Sequence, residues 1–260
     1  LNKLITERNF FPCCFRAGGR IEDDNLSHWL EEFCPFDFSN CSGNINWNRI
    51  ESDGKRLIDV ADWSKASRKW KGYNPSYKNY QNQGSMRRYI FRSVDLKSPV
   101  YKLSEKDIIE AFELADKGHN SLLSVFEHDR RFNLIENLEE FLLRLNNVSK
   151  KFKKIKFIYS NAKNAALKTI GLKEIKAPKF KFIKANDNRL MIESDSDIFG
   201  SRPYVCLKKK KIITELPVNK IGMNMWLTPK FKKKEKIEVF VVANNSSGNN
   251  KVQKYLYNSK

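Results

Sequence analysis

The chain has 260 residues and carries 49 Lys+Arg against 30 Asp+Glu, a formal charge of +19. Hydrophobic residues make up 40% of it and aromatics 12%, which excludes a disordered or collagen-like chain. No run of about 18 apolar residues occurs, so no membrane-spanning helix is expected.

Cys13–Phe15 reads as a short strand ending at Arg16-Ala17-Gly18-Gly19. Asp23 or Asp24 caps a helix whose apolar positions Leu26, Trp29, Leu30 and Phe33 fall at helical spacing, and Pro35 stops it. Phe36–Phe38 predicts the next strand. Residues 40–85, rich in Asn, Ser, Gly, Tyr and Trp, read as a long ordered loop of the kind that usually carries function. Arg88–Val94 predicts a strand. Ser104-x-x-Asp107 resembles a capping box ahead of a helix bearing Ile108, Ile109, Phe112 and Ala115. The apolar run Leu122–Phe126 leads into Glu127-His128-Asp129. Residues 134–152 form the strongest predicted helix, with Leu134, Ile135, Leu138, Phe141, Leu142, Leu145 and Val148 on one face. Lys156–Tyr159 predicts a strand, and Asn161 caps a helix through Leu167. This alternation points to an α/β fold with a parallel sheet or barrel over residues 1–172.

From Pro178 the pattern changes. Phe180 and Phe182 alternate with lysines, and Leu190–Ile192, Tyr204–Leu207, Ile212–Leu216 and Ile237–Ala243 follow between turn clusters. Short strands at this spacing predict an antiparallel β-sandwich over residues 173–260. That segment holds 20 Lys+Arg against 8 Asp+Glu, so it carries +12 of the total and the first 172 residues the remaining +7. Much of the excess lies in Lys208–Lys211 and Lys230–Lys236. These runs read either as a patch for an anionic polymer (glycan or nucleic acid) or as solvated lysines in exposed hairpins.

Cys13, Cys14, Cys34, Cys41 and Cys206 are an odd set with no CxxC pair, which predicts a reducing, cytoplasmic compartment. The chain opens on Leu1, and Leu1–Glu7 reads as the tail of a helix already under way, so a longer parent chain is expected. Asp195-Ser196-Asp197 has the composition of a turn and lacks the spacing of a calcium loop.

In an α/β barrel the reacting groups sit where strands end. Arg16 follows the first strand, and His128-Asp129 follow the apolar run 122–126. Arginine beside two glycines can grip an oxyanion; histidine beside an acid can act as general acid or base. The same residues can equally be a core ion pair and a strand-end hydrogen bond.

Phe15-Arg16-Ala17-Gly18-Gly19, then Asp24-Asn25-Leu26, Leu30-Glu31-Glu32 and Phe36-Asp37-Phe38-Ser39, resemble a stretch of the NodB-type polysaccharide deacetylases. Asp59-x-x-Asp62-Trp63 is similar to their DxxDW motif, Ser124–Asp129 to their late strand ending in His-Asp, and Lys156–Ala162 to their final strand and helix. The four pieces occur in family order and cover roughly residues 1–170. The resemblance implies an incomplete (β/α) barrel and a hydrolase that removes acetyl groups from polysaccharides or glycan precursors. It implies a divalent metal, usually zinc, that lowers the pKa of a bound water. Arg16 would orient the catalytic base, His128 would protonate the leaving group, and Asp62 with Trp63 would support His128 and wall the pocket. Trp70, Tyr73, Tyr77 and Tyr80 would offer faces for sugar rings or pack the loop, and Asp129 would touch substrate. The family's metal ligands precede the arginine motif, and the fifteen residues before Arg16 contain no Asp or His. His28 and His119 have no ligand-spaced partner. As it stands the chain is expected to be inactive, its metal motifs lying upstream, or else to be a basic module that binds without hydrolysing.

Overall fold

The structure, a computed structural model, describes residues 1–42, 44–50, 56–97, 103–129, 131–232 and 236–258, with 44–50 and 56–60 followed as backbone only. In chain order the first part runs α1 (Asn2–Arg8), β1 (Cys14–Phe15), a 3₁₀ turn (Gly18–Arg20), α2 (Asp24–Glu31) and β2 (Phe36–Asn40). Two hairpins follow, β3 (Asn44–Ile50) with β4 (Arg56–Asp62) and β5 (Pro75–Ser76) with β6 (Asn79–Gln83). Next come β7 (Tyr89–Asp95), α3 (Glu105–Asp116), β8 (Ser124–Phe126), α4 (Leu134–Ser149) and α5 (Ala162–Ile170). The chain divides into two compact units. One comprises residues 14–28 and 36–172; the other joins residues 1–13 and 29–35 to 173–260.

The first unit is α/β. Its sheet has the order β1-β2-β7-β8, and every neighbouring pair is parallel. Parallel neighbours need crossovers, and α3 provides one between β7 and β8. That helix starts as the sequence predicts: the Ser104 side chain accepts from the Asp107 N–H, and the Asp107 carboxylate accepts from the Ser104 N–H at 2.9 Å. Ile108, Ala111 and Phe112 of α3 are buried with Phe141, Leu145 and Val148 of α4. Phe36, Phe38 and Phe91 of the sheet pack with Ala166 and Leu167 of α5. Asn161 caps α5 as expected, its side chain accepting from the Asn164 N–H at 2.9 Å.

Two expectations change here. The stretch from 40 to 85 is not one loop; it holds both hairpins. Its β3–β4 ladder pairs Ile45 with Ala61 and Trp47 with Asp59, and the alternating Asn and Asp hide its strand period. Lys156–Tyr159 forms no strand, because none of the described residues pairs with it. A strand-like sequence without a neighbour has no ladder for its N–H and C=O groups.

The second unit is antiparallel. Its strands are β9 (Phe180–Lys184), β10 (Leu190–Ser194), β11 (Tyr204–Lys209), β12 (Ile212–Glu215), β13 (Asn219–Gly222), β14 (Met225–Leu227), β15 (Lys236–Val242) and β16 (Gln253–Asn258). They form two four-stranded sheets, ordered β13-β14-β10-β9 and β12-β11-β15-β16. Leu190, Ile192 and Trp226 of one sheet share a buried cluster with Val205, Val239, Val241 and Tyr257 of the other. The N-terminal segments are built into this unit. The Asn244 side-chain amide donates to the carbonyls of Pro12 (2.8 Å) and Phe33 (2.7 Å), and a Cβ on Gly200 would lie 1.8 Å from the Glu32 carbonyl oxygen. The second unit takes in residues 173–260 together with residues 1–13 and 29–35.

Candidate functional site

Because all four strands of the parallel sheet run the same way, their carboxyl ends share one edge. Arg16 leaves that edge after β1, Asp95 is the last residue of β7, and Phe126 ends β8, with Asp95 and Phe126 opposite each other in the ladder. The Asp95 carboxylate gathers the side chains around it. Arg131 donates to both of its oxygens, at 2.7 and 3.1 Å. The Lys97 N–H donates to Oδ1 at 2.8 Å, while Arg20 Nη2 and His128 Nε2 each lie 3.5 Å from Oδ2. Burial works against the charge on Asp95. The hydrogen bonds from Arg131 and Lys97 and the charge of Arg20 outweigh it and hold the acid below the ordinary carboxylate range. Glu127 joins the network through Arg131, and the Asn137 amide donates to its Oε2 at 3.2 Å.

Phe126 is the apolar partner of the same groups. The guanidiniums of Arg16 and Arg20 lie 4.1 and 4.9 Å from its ring centroid, within cation–π range. The His128 ring stands edge-on to it at 5.8 Å. Burial and the nearby Arg20 charge lower the pKa of Arg16, with Asp95 opposing them.

The turn that carries both arginines is built by backbone constraint. Gly19 has φ +60° and Arg20 φ +61°, a left-handed conformation that costs a non-glycine residue about 1–2 kcal/mol. Trp63 Nε1 donates to the Arg20 carbonyl at 2.8 Å and helps to hold it there. The Ala17 N–H donates to Ser39 Oγ at 2.8 Å, and Ser39 in turn donates to Asp37 Oδ1. Asp37 and Glu22 both accept from Arg88, whose Nη1 lies 2.6 Å from Asp37 Oδ2, and all three side chains are fully buried. The first strand's turn is thus tied to β2 by the Ala17–Ser39 bond and to the end of β4 by the Trp63–Arg20 bond.

Not every residue named from the sequence comes together. Arg16 and His128 meet at the Phe126 ring. Asp62 does not support His128: its Oδ1 accepts from the Ser64 N–H (3.0 Å) and hydroxyl (2.7 Å), which hold its pKa below the ordinary value, and Asp95 takes the place beside the imidazole. Trp63 is 0% exposed, so it stands behind the Arg20 turn and walls no open pocket. Tyr73 and Trp70 are buried too, 7% and 1% exposed, although Trp70 is among the residues that line a cleft away from Arg16 and His128. Trp70 packs among core residues with the Arg92 guanidinium 4.0 Å from its ring, and the Tyr73 hydroxyl donates to the Tyr80 carbonyl at 3.1 Å. Composition marks these aromatics, but only the packing decides which faces are covered. Tyr77 is 48% exposed, its ring 5.8 Å from that of His28, and Asp129 is exposed. Asp59 lies where only backbone is described.

Sequence reasoning missed Arg20, Asp95, Glu127 and Arg131. Only the Gly18-Gly19-Arg20 turn carried a signal; the partners of Asp95 lie up to 75 residues away along the chain. A cleft of about 480 Å³, lined by Trp70 and, among others, by Ser67, Lys69, Glu110, Glu113 and Lys117, shares no residue with the cluster.

The residues present do not fit a divalent metal. Among the described residues no three His, Cys, Asp or Glu side chains are placed to hold one. The nearest acids, Asp95 and Glu127, are both ion-paired to Arg131, whose charge opposes a cation there. No protein-family model matches the sequence, and no curated protein matches it either.

Proposed function

We propose that residues 14–28 and 36–172 form a glycan-binding unit of the NodB polysaccharide-deacetylase type. In this reading it is an incomplete (β/α) barrel that takes an acetylated sugar at the carboxyl ends of its strands. The β-rich unit is then an accessory β-sandwich. One observation carries the reading: Arg16 and His128, drawn from distant pieces of the resemblance, rest on the same aromatic ring beside Asp95. With Nε2 turned toward the carboxylate, Nδ1 is the ring nitrogen placed to exchange a proton with a sugar amine or hydroxyl. No hydrolytic step is assigned to these residues, since their carboxylates do not fit the metal that the family reaction uses. The odd number of cysteines, with no CxxC pair among them, supports a reducing, cytoplasmic setting. The second reading, contact with an anionic polymer, is favoured by Lys209–Lys211, which sit exposed at the β11–β12 hairpin turn with Lys210 at φ +54°.

The test is a calorimetric comparison of N-acetylchitotetraose with cellotetraose, which has the same linkage and lacks the acetamido groups. A preference of about tenfold for the acetylated sugar, lost in His128→Ala, is the expected result. Equal affinity for the two sugars, or a preference untouched by His128→Ala, rejects the reading.

A further inference from the structure

The charges at the end of the parallel sheet do not balance. Arg16, Arg20 and Arg131 bring three positive charges, and Asp95 and Glu127 bring two negative ones. Asp95 has nothing left to give: Oδ1 accepts from Arg131 and Lys97, and Oδ2 faces Arg131, Arg20 and His128. Glu127 is taken by Arg131, Asn137 and the His128 N–H. Among the described residues the Arg16 guanidinium makes no hydrogen bond or ion pair; it lies against the Phe126 ring, with the charges of Arg20 and Asp95 nearby. Arg20 is 4% exposed, yet its Nη1 has no acceptor. Two like charges therefore share one ring, Arg16 exposed and Arg20 buried with one donor unmet, in the part of the fold where ligands of parallel α/β sheets bind.

A buried N–H without an acceptor is unfavourable, and adjacent guanidiniums repel each other. Both penalties vanish if an anion lies between them. A planar guanidinium offers two parallel donors to a carboxylate or phosphate, and such charge-assisted bonds are about twice as strong as neutral ones. A neutral sugar hydroxyl would satisfy the donors and leave the charge.

We propose that Arg16 and Arg20 together hold an oxyanion carried by the glycan, a uronate carboxylate or a sugar phosphate, so that the substrate class is an acidic acetylated glycan. The proposal rests on the glycan-binding reading above and narrows it. Both guanidiniums lie against the Phe126 ring, and His128 stands edge-on to the same ring and 3.5 Å from the Asp95 oxygen that Arg20 also faces.

The experiment measures five probes by calorimetry on the full chain: N-acetylchitotetraose, a hyaluronan tetrasaccharide bearing uronates, N-acetylglucosamine, N-acetylglucosamine 6-phosphate, and inorganic phosphate. The proposal expects at least one anionic sugar to bind ten or more times tighter than its neutral counterpart, N-acetylchitotetraose or N-acetylglucosamine. The ratio should fall to about one in Arg16→Gln and to an intermediate value in Arg16→Lys, which keeps the charge and loses the fork. Whichever anionic sugar gains more identifies the source of the oxyanion. A ratio near one in the parent chain, or a ratio that Arg16→Gln leaves in place, overturns the oxyanion site while neutral-glycan binding stands. Phosphate binding that depends on Arg16, with no sugar bound, overturns the glycan reading and keeps the oxyanion site.

Discussion

Burying one arginine between two carboxylates leaves a charge to be settled. Arg88 contributes one positive charge, and Glu22 and Asp37 together could contribute two negative ones, with no exposure of any of the three side chains. Burial, and then the proximity of Asp37, push the Glu22 carboxyl up to about 9 against the pull of Arg88. A carboxyl raised in this way favours the protonated form of Glu22 at neutral pH. The linkage has a definite sign. The folded state binds the proton more tightly than the unfolded chain, so the contribution of Glu22 is fully present below its ordinary pKa. It is lost as pH rises toward about 9. Glu22→Gln mimics the neutral form and should unfold with a midpoint close to the parent's near pH 5. As pH climbs to 9 the variant should become the more stable of the two, with a slope below the limit of about 1.4 kcal/mol per pH unit for one proton. Parallel stability profiles across that range would rule out a protonated Glu22. Nothing in Ile21-Glu22-Asp23-Asp24 sets Glu22 apart from its exposed acidic neighbours, because burial is a property of what packs on it.

At the level of elements, legibility follows the range of the hydrogen bonds. The α3 start was readable because Ser104 and Asp107 satisfy each other's backbone within three residues. Ser104→Ala should cost about 1 kcal/mol in denaturant unfolding. Asp107→Ala should cost more, since Asp107 also accepts from Arg92 Nη2 at 2.5 Å and its loss leaves that buried guanidinium short of a partner. Equal losses would mean that the Arg92 bond carries no weight. By contrast β13, β14 and β16 went unread: Asn219–Gly222 and Gln253–Asn258 are polar or lysine-bearing segments whose strand character comes from their neighbours. Lys156–Tyr159 shows the converse, a good strand sequence with no ladder. In α4, Phe141, Leu145 and Val148 are buried, while Ile135 is 62% exposed and Leu142 38%, so the predicted apolar face is only partly covered.

Over the whole molecule, chain order and spatial grouping diverge. A composition boundary near residue 172 suggests that residues 173–260 fold independently, but residues 1–13 and 29–35 complete that unit. Phe11 packs its ring 5.6 Å from Phe33 and 5.9 Å from Tyr204, and Asn250 donates to the Phe11 carbonyl at 3.1 Å. A fragment of residues 173–260 should therefore show little amide protection in β11 and β15, and addition of a peptide of residues 1–35 should raise it. Full protection in the isolated fragment would show that the N-terminal segments are dispensable.

Patterns that close within a few residues were settled by the amino-acid order alone. These include the caps of α3 and α5, the change from helical to alternating period near residue 178 and the concentration of positive charge beyond it. Arg16 and His128 were also visible, because strand ends can be located one strand at a time. Their partners were not. Asp95 stands beside His128, and Trp63 holds Arg20, because parallel strands and a hairpin bring together residues 33 and 43 positions apart. No local rule ranks Asp95 above Asp62 as the acid for that histidine. The choice is made by strand register and by which carboxylate the folded chain surrounds with donors.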